Sequence, residues 1–543
     1  MGNTQDSAES GQKNRIKEVG KQIVGDRGQI AVKLVFALLY TLFLLLGDPD
    51  HWRALFEKPI YELVFLVAGI WLVAFLVLSI LFTLLDLRKE TDTQQKCVFS
   101  WKVFAIFLAV CLLCWMPYYL LNFPGWVSND SVWQLEQICG MKPYSNHHPF
   151  FHTMLIRIFF ETGRGIFGTV SAGVATFVFA QMVFMAGVYA LILADLYRRN
   201  VKKGFIILGL IFYALLPVNG IYAIGMGKDT VFAGVLLLFV REVCLFVEED
   251  RCGKGLVITG LLVCLLRSNG ILIFAGTAVG MVIYSLLRKK SRKMLICTGI
   301  VLGSYLVYQS LLLGALHVTQ PDTVEGLTMP IQHMLSAYMN DGELTAQQTE
   351  FLQEIVPLEG LEEYYNPSFF DLVKNHIREE GNQEYIADHK MQFFRMWLEI
   401  GLKNPVQYLE AEVRQTYGYW GLRVETPLYE QYRMAENPFD LTVQRKVFSY
   451  DFGLWADTFL QDFQTFFNRI WSLGLTTWLM LGCMAYAMYG RRNILPYLPF
   501  VMLFVSLLLA TPVYAEFRYT YGIFVAIPLL LAVTLKKTAR KEA

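Results

Sequence analysis

Long apolar runs, most of them roughly the 20 positions needed to cross a bilayer as helix, alternate with short polar breaks along most of the chain. The pattern predicts helices at 29–46, 60–86, 102–121, 167–195, 204–217, 229–247, 255–267, 270–287, 294–316, 469–489, 494–511 and 520–535. That is an all-α polytopic membrane protein with about 12 transmembrane helices. The 60–86 run must tilt or extend beyond the hydrocarbon. Between 317 and 468 the pattern changes to a polar, Glu-rich and aromatic one, long enough for a mainly helical domain resting on the membrane. Within it, EYIADHKMQFFRMWLEIGL (384–402) has a helical period, and Gly401 with Asn404-Pro405 predicts its stop.

Composition narrows the class. The chain has 543 residues, 55% of them hydrophobic and 15% aromatic, with a mean hydropathy of +0.40, which excludes a soluble protein. A net charge of +1 with no basic domain excludes nucleic acid as a partner.

Charge then sets orientation. Lys13, Arg15, Lys17 and Lys21, Arg88 and Lys89, Arg198 to Lys203, the block 288–293, Arg491 and Arg492, and the basic tail all fall on one side, expected to be cytoplasmic. The resulting map is a cytoplasmic segment 1–28, a transmembrane region 29–316 with its first large external loop at 122–166, an extracytoplasmic domain 317–468, C-terminal helices 469–535, and a cytoplasmic tail 536–543. Both termini are expected inside. No small-residue cleavage motif follows the first apolar run, so it is expected to stay as an anchor. Of nine cysteines only Cys139 is external, so no external disulfide is expected, which favours a bacterial surface.

The external loop contains SNDSVWQLEQICGMKPYSNHHPF (128–150). Asp130 sits where an N-cap belongs, and Ser131 with Gln134 has capping-box spacing. The plain reading is a capped surface helix; the functional one is a carboxylate held at the membrane boundary as general base. The two are compatible. Glu136 falls on the solvated side of the same helix. His147 and His148 are a poor chelating pair and no Glu completes a zinc-protease pattern, so no metal is expected. Pro149 puts the pair in a loop facing back toward Asp130. His152 is placed at the interface.

Three other external ends carry charge: Lys228-Asp229, Arg267-Ser268-Asn269-Gly270 and Glu516-Phe517-Arg518-Tyr519. Read plainly, Lys228 and Arg518 snorkel to headgroups and pair with Asp229 and Glu516. Read functionally, Lys228, Arg267 and Arg518 converge on an anionic headgroup such as a phosphate. Asn129 and Asn146 are candidate sugar or acceptor contacts. Tyr417 and Trp420, in QTYGYWG (415–421), could stack on a sugar or form an interfacial belt.

Taken together, PGWVSNDSVWQLEQ, PYSNHHPFFHTMLIR, the 228–229 pair, the RSNG turn and AEFRYTYG resemble the GT-C superfamily of multi-pass membrane glycosyltransferases, and in particular a Gram-positive bacterial branch of it. KNPVQYLEAEVRQTYGYW (403–420) is similar to that branch's external domain. The resemblance implies that Asp130 acts as base on the acceptor, with His147 or His148 orienting acceptor or phosphate. It implies that Arg518, Arg267 and Lys228, with Glu516 beside them, hold the lipid phosphate. Many relatives have a second acid after the first; here Ser131 follows Asp130, which argues against a metal-dependent variant. The expected activity is transfer of a sugar from a polyprenyl-phosphate donor to a cell-envelope glycan or glycolipid at the outer face of the cell membrane, without a cofactor. The rival expectations are a lipid-linked-sugar transporter and a non-catalytic envelope scaffold.

Overall fold

The computed structural model describes residues 26–47, 54, 57–87, 98–288, 293–428, 433–445 and 447–535. The expected cytoplasmic segments 1–25 and 536–543, with Arg88, Lys89 and most of the 288–293 block, lie outside the described residues. The fold is all-α and multi-pass. Two compact units divide it: Met1–Gln95 with Trp478–Ile494 and Leu530–Ala543, and Lys96–Thr477 with Leu495–Leu529.

The smaller unit holds α1 (Arg27–Leu46) and α2 (Ile60–Leu87). A capping box starts α1: the Asp26 carboxylate accepts from the Gln29 N–H while the Gln29 side chain accepts from the Asp26 N–H. Trp71 on α2 donates to the Leu34 carbonyl, Tyr486 donates to Asp86 at 2.7 Å, and Trp478 meets Tyr40 edge-on.

The larger unit begins with α3 (Trp101–Leu121), β1 (Trp126–Val127), α4 (Asn129–Ile138), α5 (Phe150–Phe167) and α6 (Val170–Arg198). It continues with α7 (Lys203–Leu215), α8 (Pro217–Ile224), β2 (Gly225–Met226), α9 (Lys228–Glu249), α10 (Lys254–Leu266), α11 (Gly270–Leu287) and α12 (Lys293–Ala315). The stretch expected to be external comes next: α13 (Thr328–Met339), α14 (Ala346–Ile355), α15 (Asp371–Glu379), α16 (Gln383–Asp388), α17 (Lys390–Lys403) and α18 (Pro405–Thr416). Last in the chain come α19 (Tyr450–Ile470), α20 (Leu473–Tyr489), α21 (Leu498–Ala510) and α22 (Phe517–Leu535), of which α20 from Trp478 on and α22 from Leu530 on belong to the smaller unit.

All twelve expected runs are helical, and among the described residues eight helices are long and apolar enough to cross a membrane, or ten if each bent pair is one span. The bent pairs are α7 with α8, and α19 with α20. The span expected over 204–217 is helical to Leu215, and α8 follows at 49° to it because Pro217 drives Leu216 into extended backbone at ψ 119°. α10 stops where Arg267 is extended, at φ −143° and ψ 146°.

The α13–α18 region has its own apolar core, built around Ile331, Leu335, Phe351, Val373, Ile377 and Phe393. The helix expected over 384–402 is two helices, broken at His389 and running on to Lys403. Gly401 is not its stop: it lies inside α17, where its missing side chain admits the Tyr408 ring. Asn404 ends the helix, its amide gripping both the N–H and the carbonyl of Glu343.

A short parallel pairing fixes the geometry of the charged residues near 130 and 228. Trp126 and Val127 of β1 register with Gly225 and Met226 of β2. Gln181 of α6 secures the second strand by donating to the carbonyls of Ala223 and Gly225. Gly125 allows the entry to β1: its φ is +122°, and any side chain would strike Val178. The pairing sets the starts of α4 and α9 side by side.

Candidate functional site

α4 begins at Asn129 with Ser128 at the N-cap, so Asp130 is in the first turn and is not the cap. The expected capping box is absent too, because the strand pairing fixes the chain two residues earlier. The Ser131 hydroxyl of α4 donates to the Met226 carbonyl of β2, and Gln134 bonds Thr153 and His152. The Asp130 carboxylate is thereby left for partners on other helices.

Lys228, the first residue of α9, donates from Nζ to Asp130 Oδ2 at 2.7 Å and to His148 Nδ1 at 3.0 Å. Arg518, in the first turn of α22, donates from Nη1 to the same Oδ2 at 3.0 Å. No other hydrogen bond falls on Asp130 among the described residues, so Oδ1 is unengaged. Arg518 Nε lies 3.5 Å from Glu516, and its Nη1 lies 3.8 Å from Asp229 Oδ2. Arg267, in the break before α11, meets Asp229 Oδ1 at 3.0 Å. The Tyr519 ring lies 4.9 Å from the Arg267 guanidinium and 5.1 Å from that of Arg518, a cation–π arrangement.

Four chain segments, distant in sequence, thus meet through side chains that sit at or just before helix starts. Helix N-termini carry exposed N–H groups and a positive dipole end, which favour an anion. Three cations (Lys228, Arg267, Arg518) are matched by three acids (Asp130, Asp229, Glu516). Asp229 is deeply enclosed, with its side chain 3% exposed, whereas that of Asp130 is 28% exposed. The cluster therefore opens to its surroundings over Asp130.

Electrostatics follow from these distances. Burial alone would raise the Asp130 carboxyl, but Lys228, Arg518 and His148 beside it hold it well below the usual carboxylate range. Burial, and then the Lys228 ammonium, push the His148 imidazole well below its ordinary value against the pull of Asp130. His148 is therefore neutral, and its Nδ1 accepts from Lys228.

The two histidines part company. His148 Nδ1 is 3.9 Å from Asp130 Oδ2, whereas His147 Nδ1 is 3.6 Å from Glu325. Glu325 also receives Arg378 at 2.6 Å and Lys374 at 3.2 Å, both from α15. His152 is not interfacial but fully buried on α5, edge-on to Phe177, with burial pushing it down to about 3.

Residues 140–543 match the profile of a family described as "Family of unknown function (DUF6020)". The chain belongs to that family. No curated protein and no solved structure matches it. The matched stretch takes in His147, His148, Lys228, Arg267, Glu516 and Arg518, and begins ten residues after Asp130.

Other predicted contacts in this DUF6020 member have local work. Asn146 accepts from the Phe150 N–H and so fixes the start of α5. Asn129 is exposed beside Asp130. Trp420 is buried, its indole donating to Thr416, so its face is closed to a sugar. Tyr417 stacks on Tyr514 at 5.9 Å. Between them Tyr419 donates to the Val513 carbonyl at 2.7 Å. The YGYW segment thus holds the 511–516 stretch from which Glu516 and Arg518 emerge. The expected pairing of Lys228 with its neighbour Asp229 is replaced by crossed pairs, Lys228 with Asp130 and Arg267 with Asp229. Tyr519 and Glu325 were not predicted; the aromatic next to Arg518 was a readable signal, while nothing near Glu325 in sequence marks it. Among the described residues, no group of three or more His, Cys, Asp or Glu side chains is placed to hold a metal ion.

Proposed function

We propose that this protein transfers a sugar from a polyprenyl-phosphate donor to a hydroxyl of a cell-envelope acceptor at the outer face of the cell membrane. The observation that carries the reading is the meeting of Lys228, Arg518 and His148 on a partly exposed Asp130, at four helix starts.

The chemistry of such a donor fits the charges. A polyprenyl phosphosugar is a phosphodiester with one negative charge; once the anomeric C–O bond breaks, the departing polyprenyl phosphate carries two. Cations fixed beside the phosphate stabilise that added charge, the largest electrostatic change in the reaction. Lys228 and Arg518 are positioned for this, with Arg267 behind them through Asp229. The acceptor oxygen attacks the anomeric carbon while its proton passes to a carboxylate, for which Asp130 is the candidate.

The resting cluster is self-neutral, and that shapes the sequence of events. With two cations on Oδ2, Asp130 is a weak base. A bound phosphate draws Lys228 and Arg518 toward itself, and the basicity of Asp130 then rises. Donor binding in this scheme arms the base. His148, neutral and bonded to Lys228, steers the ammonium between the two anions.

A lipid-linked-sugar transporter is the second reading, supported by the bend between α7 and α8 and the Arg267 break between α10 and α11. The test is turnover by purified protein in vesicles containing a panel of polyprenyl-phosphate sugars and envelope glycolipids. Wild-type protein should release polyprenyl phosphate and the Asp130→Asn variant should not. Movement of donor across the bilayer without release would favour transport.

A further inference from the structure

α19 presents three faces. Gly453, Leu460 and Phe467 lie on the side packed against protein, with Phe467 meeting Phe517 at 6.4 Å and Phe524 at 6.1 Å on α22. About 100° around the helix, Phe452, Trp455, Phe459, Phe466 and Ile470 form an outward stripe; Trp455 is 60% exposed and Phe466 57%. Next to it runs a polar stripe of Asp451, Thr458, Asp462, Thr465 and Arg469, all exposed.

The apolar stripe is organised. Phe448 stacks on Phe452 at 4.9 Å, Phe452 lies 5.4 Å from Trp455, and Trp455 stacks on Phe459 at 5.8 Å. Such a ladder facing water would be a large exposed apolar patch. Two residues after its end, the chain enters the apolar α20.

We propose that α19 lies in the membrane surface, with its aromatic stripe seated among phospholipid headgroups and upper acyl chains and its polar stripe facing water. A helix with one protein face, one apolar face and one polar face fits that boundary and no single-phase surroundings. Trp prefers headgroup depth, Phe on the apolar face of an interfacial helix is buried at the boundary of headgroups and acyl chains, and Asp451 and Asp462 keep the helix from sinking deeper. Continuity with α20 supplies the membrane side. Because Phe467 packs on Phe517, the residue before Arg518, this seating also fixes the Arg518 end of α22 at headgroup level. The inference is independent of the transferase reading.

The test places the photo-crosslinker p-benzoylphenylalanine in the full-length protein, one position at a time, in vesicles of phosphatidylethanolamine and phosphatidylglycerol. At 455, 459 and 466 it should capture phospholipid several-fold more than at 458, 462 and 465. Capture of a second copy of the chain from the first set, equal lipid capture by both sets, or no lipid capture would each overturn the proposal. A conservative variant guards against misfolding: brominated phospholipid should quench the fluorescence of wild-type protein more than that of Trp455→Phe. Equal quenching would also overturn it.

Discussion

Removing one charge from the Asp130–Lys228 pair should destabilise the protein, and removing both should restore part of the loss. At 2.7 Å and 3.0 Å, each contact on Oδ2 is worth about 6 kcal/mol of Coulomb attraction at an effective dielectric of about 20, before desolvation is subtracted. Side chains of Asp130 and Lys228 are 28% and 16% exposed, so water screens part of this, and desolvation offsets more. A net effect of about 2–3 kcal/mol for Asp130→Asn is the working figure, because Lys228 and Arg518 then face each other without their shared anion. Lys228→Met should cost about 1–2 kcal/mol, since Arg518 still covers the carboxylate. In the double variant Lys228 no longer faces Arg518 without their shared anion, and the two losses should fall short of additivity by about 1–2 kcal/mol. Unfolding of purified protein in mixed micelles, followed by circular dichroism for all four proteins, measures the cycle. Additivity within about 0.5 kcal/mol would refute the claim that the two groups are energetically joined.

Arg267→Gln should weaken donor turnover by about tenfold or more, the order expected for loss of one charge-assisted contact worth about 1.5–3 kcal/mol, chiefly by releasing Asp229 to compete for Arg518; steady-state kinetics against donor concentration would check it. His148 is held neutral in the fold, so the unfolded chain takes up a proton that the native one refuses, and stability should fall as pH drops below about 6.5, by up to about 1.4 kcal/mol per pH unit. His147 and His152 act in the same direction, and His148→Gln should flatten the slope by one proton's worth in unfolding measurements at pH 5.5 and 7.5, pH settings chosen about one unit either side of that value. The Asp130 contribution has the same sign in a more acidic window: its carboxyl is held down in the fold, so the contribution is present above about pH 3.9 and is lost only in stronger acid. Gly125→Ala should lower stability by about 1–3 kcal/mol, from positive-φ strain and collision with Val178, read as a drop in the unfolding midpoint.

The membrane class and the ends of most helices were legible because a bilayer imposes one long period on sequence, and charge marks where it stops. Asp130, Lys228, Arg267 and Arg518 could be picked out as ionisable groups at apolar borders, where they are costly unless paired or used. Their pairing was not legible. It depends on the β1–β2 register, two residues on each strand, and on Gly125 and Gln181, none of which leaves a periodic signal. The cap assignment failed for the same reason: local spacing favours Asp130, but the strand fixes Ser128 as the last non-helical residue before α4. Trp420 was misleading because an aromatic cluster reads alike whether it faces a ligand or a carbonyl-rich loop; only burial separates the two.

Whether Asp130 serves sugar transfer is tested most directly in cells. Mass spectrometry of polyprenyl-phosphate sugars and envelope polymers should be compared among wild-type, deletion and Asp130→Asn strains with matched protein levels. The account predicts that one lipid-linked sugar accumulates and one polymer loses that sugar in both mutants. A changed profile on deletion with a wild-type profile for Asp130→Asn would contradict it.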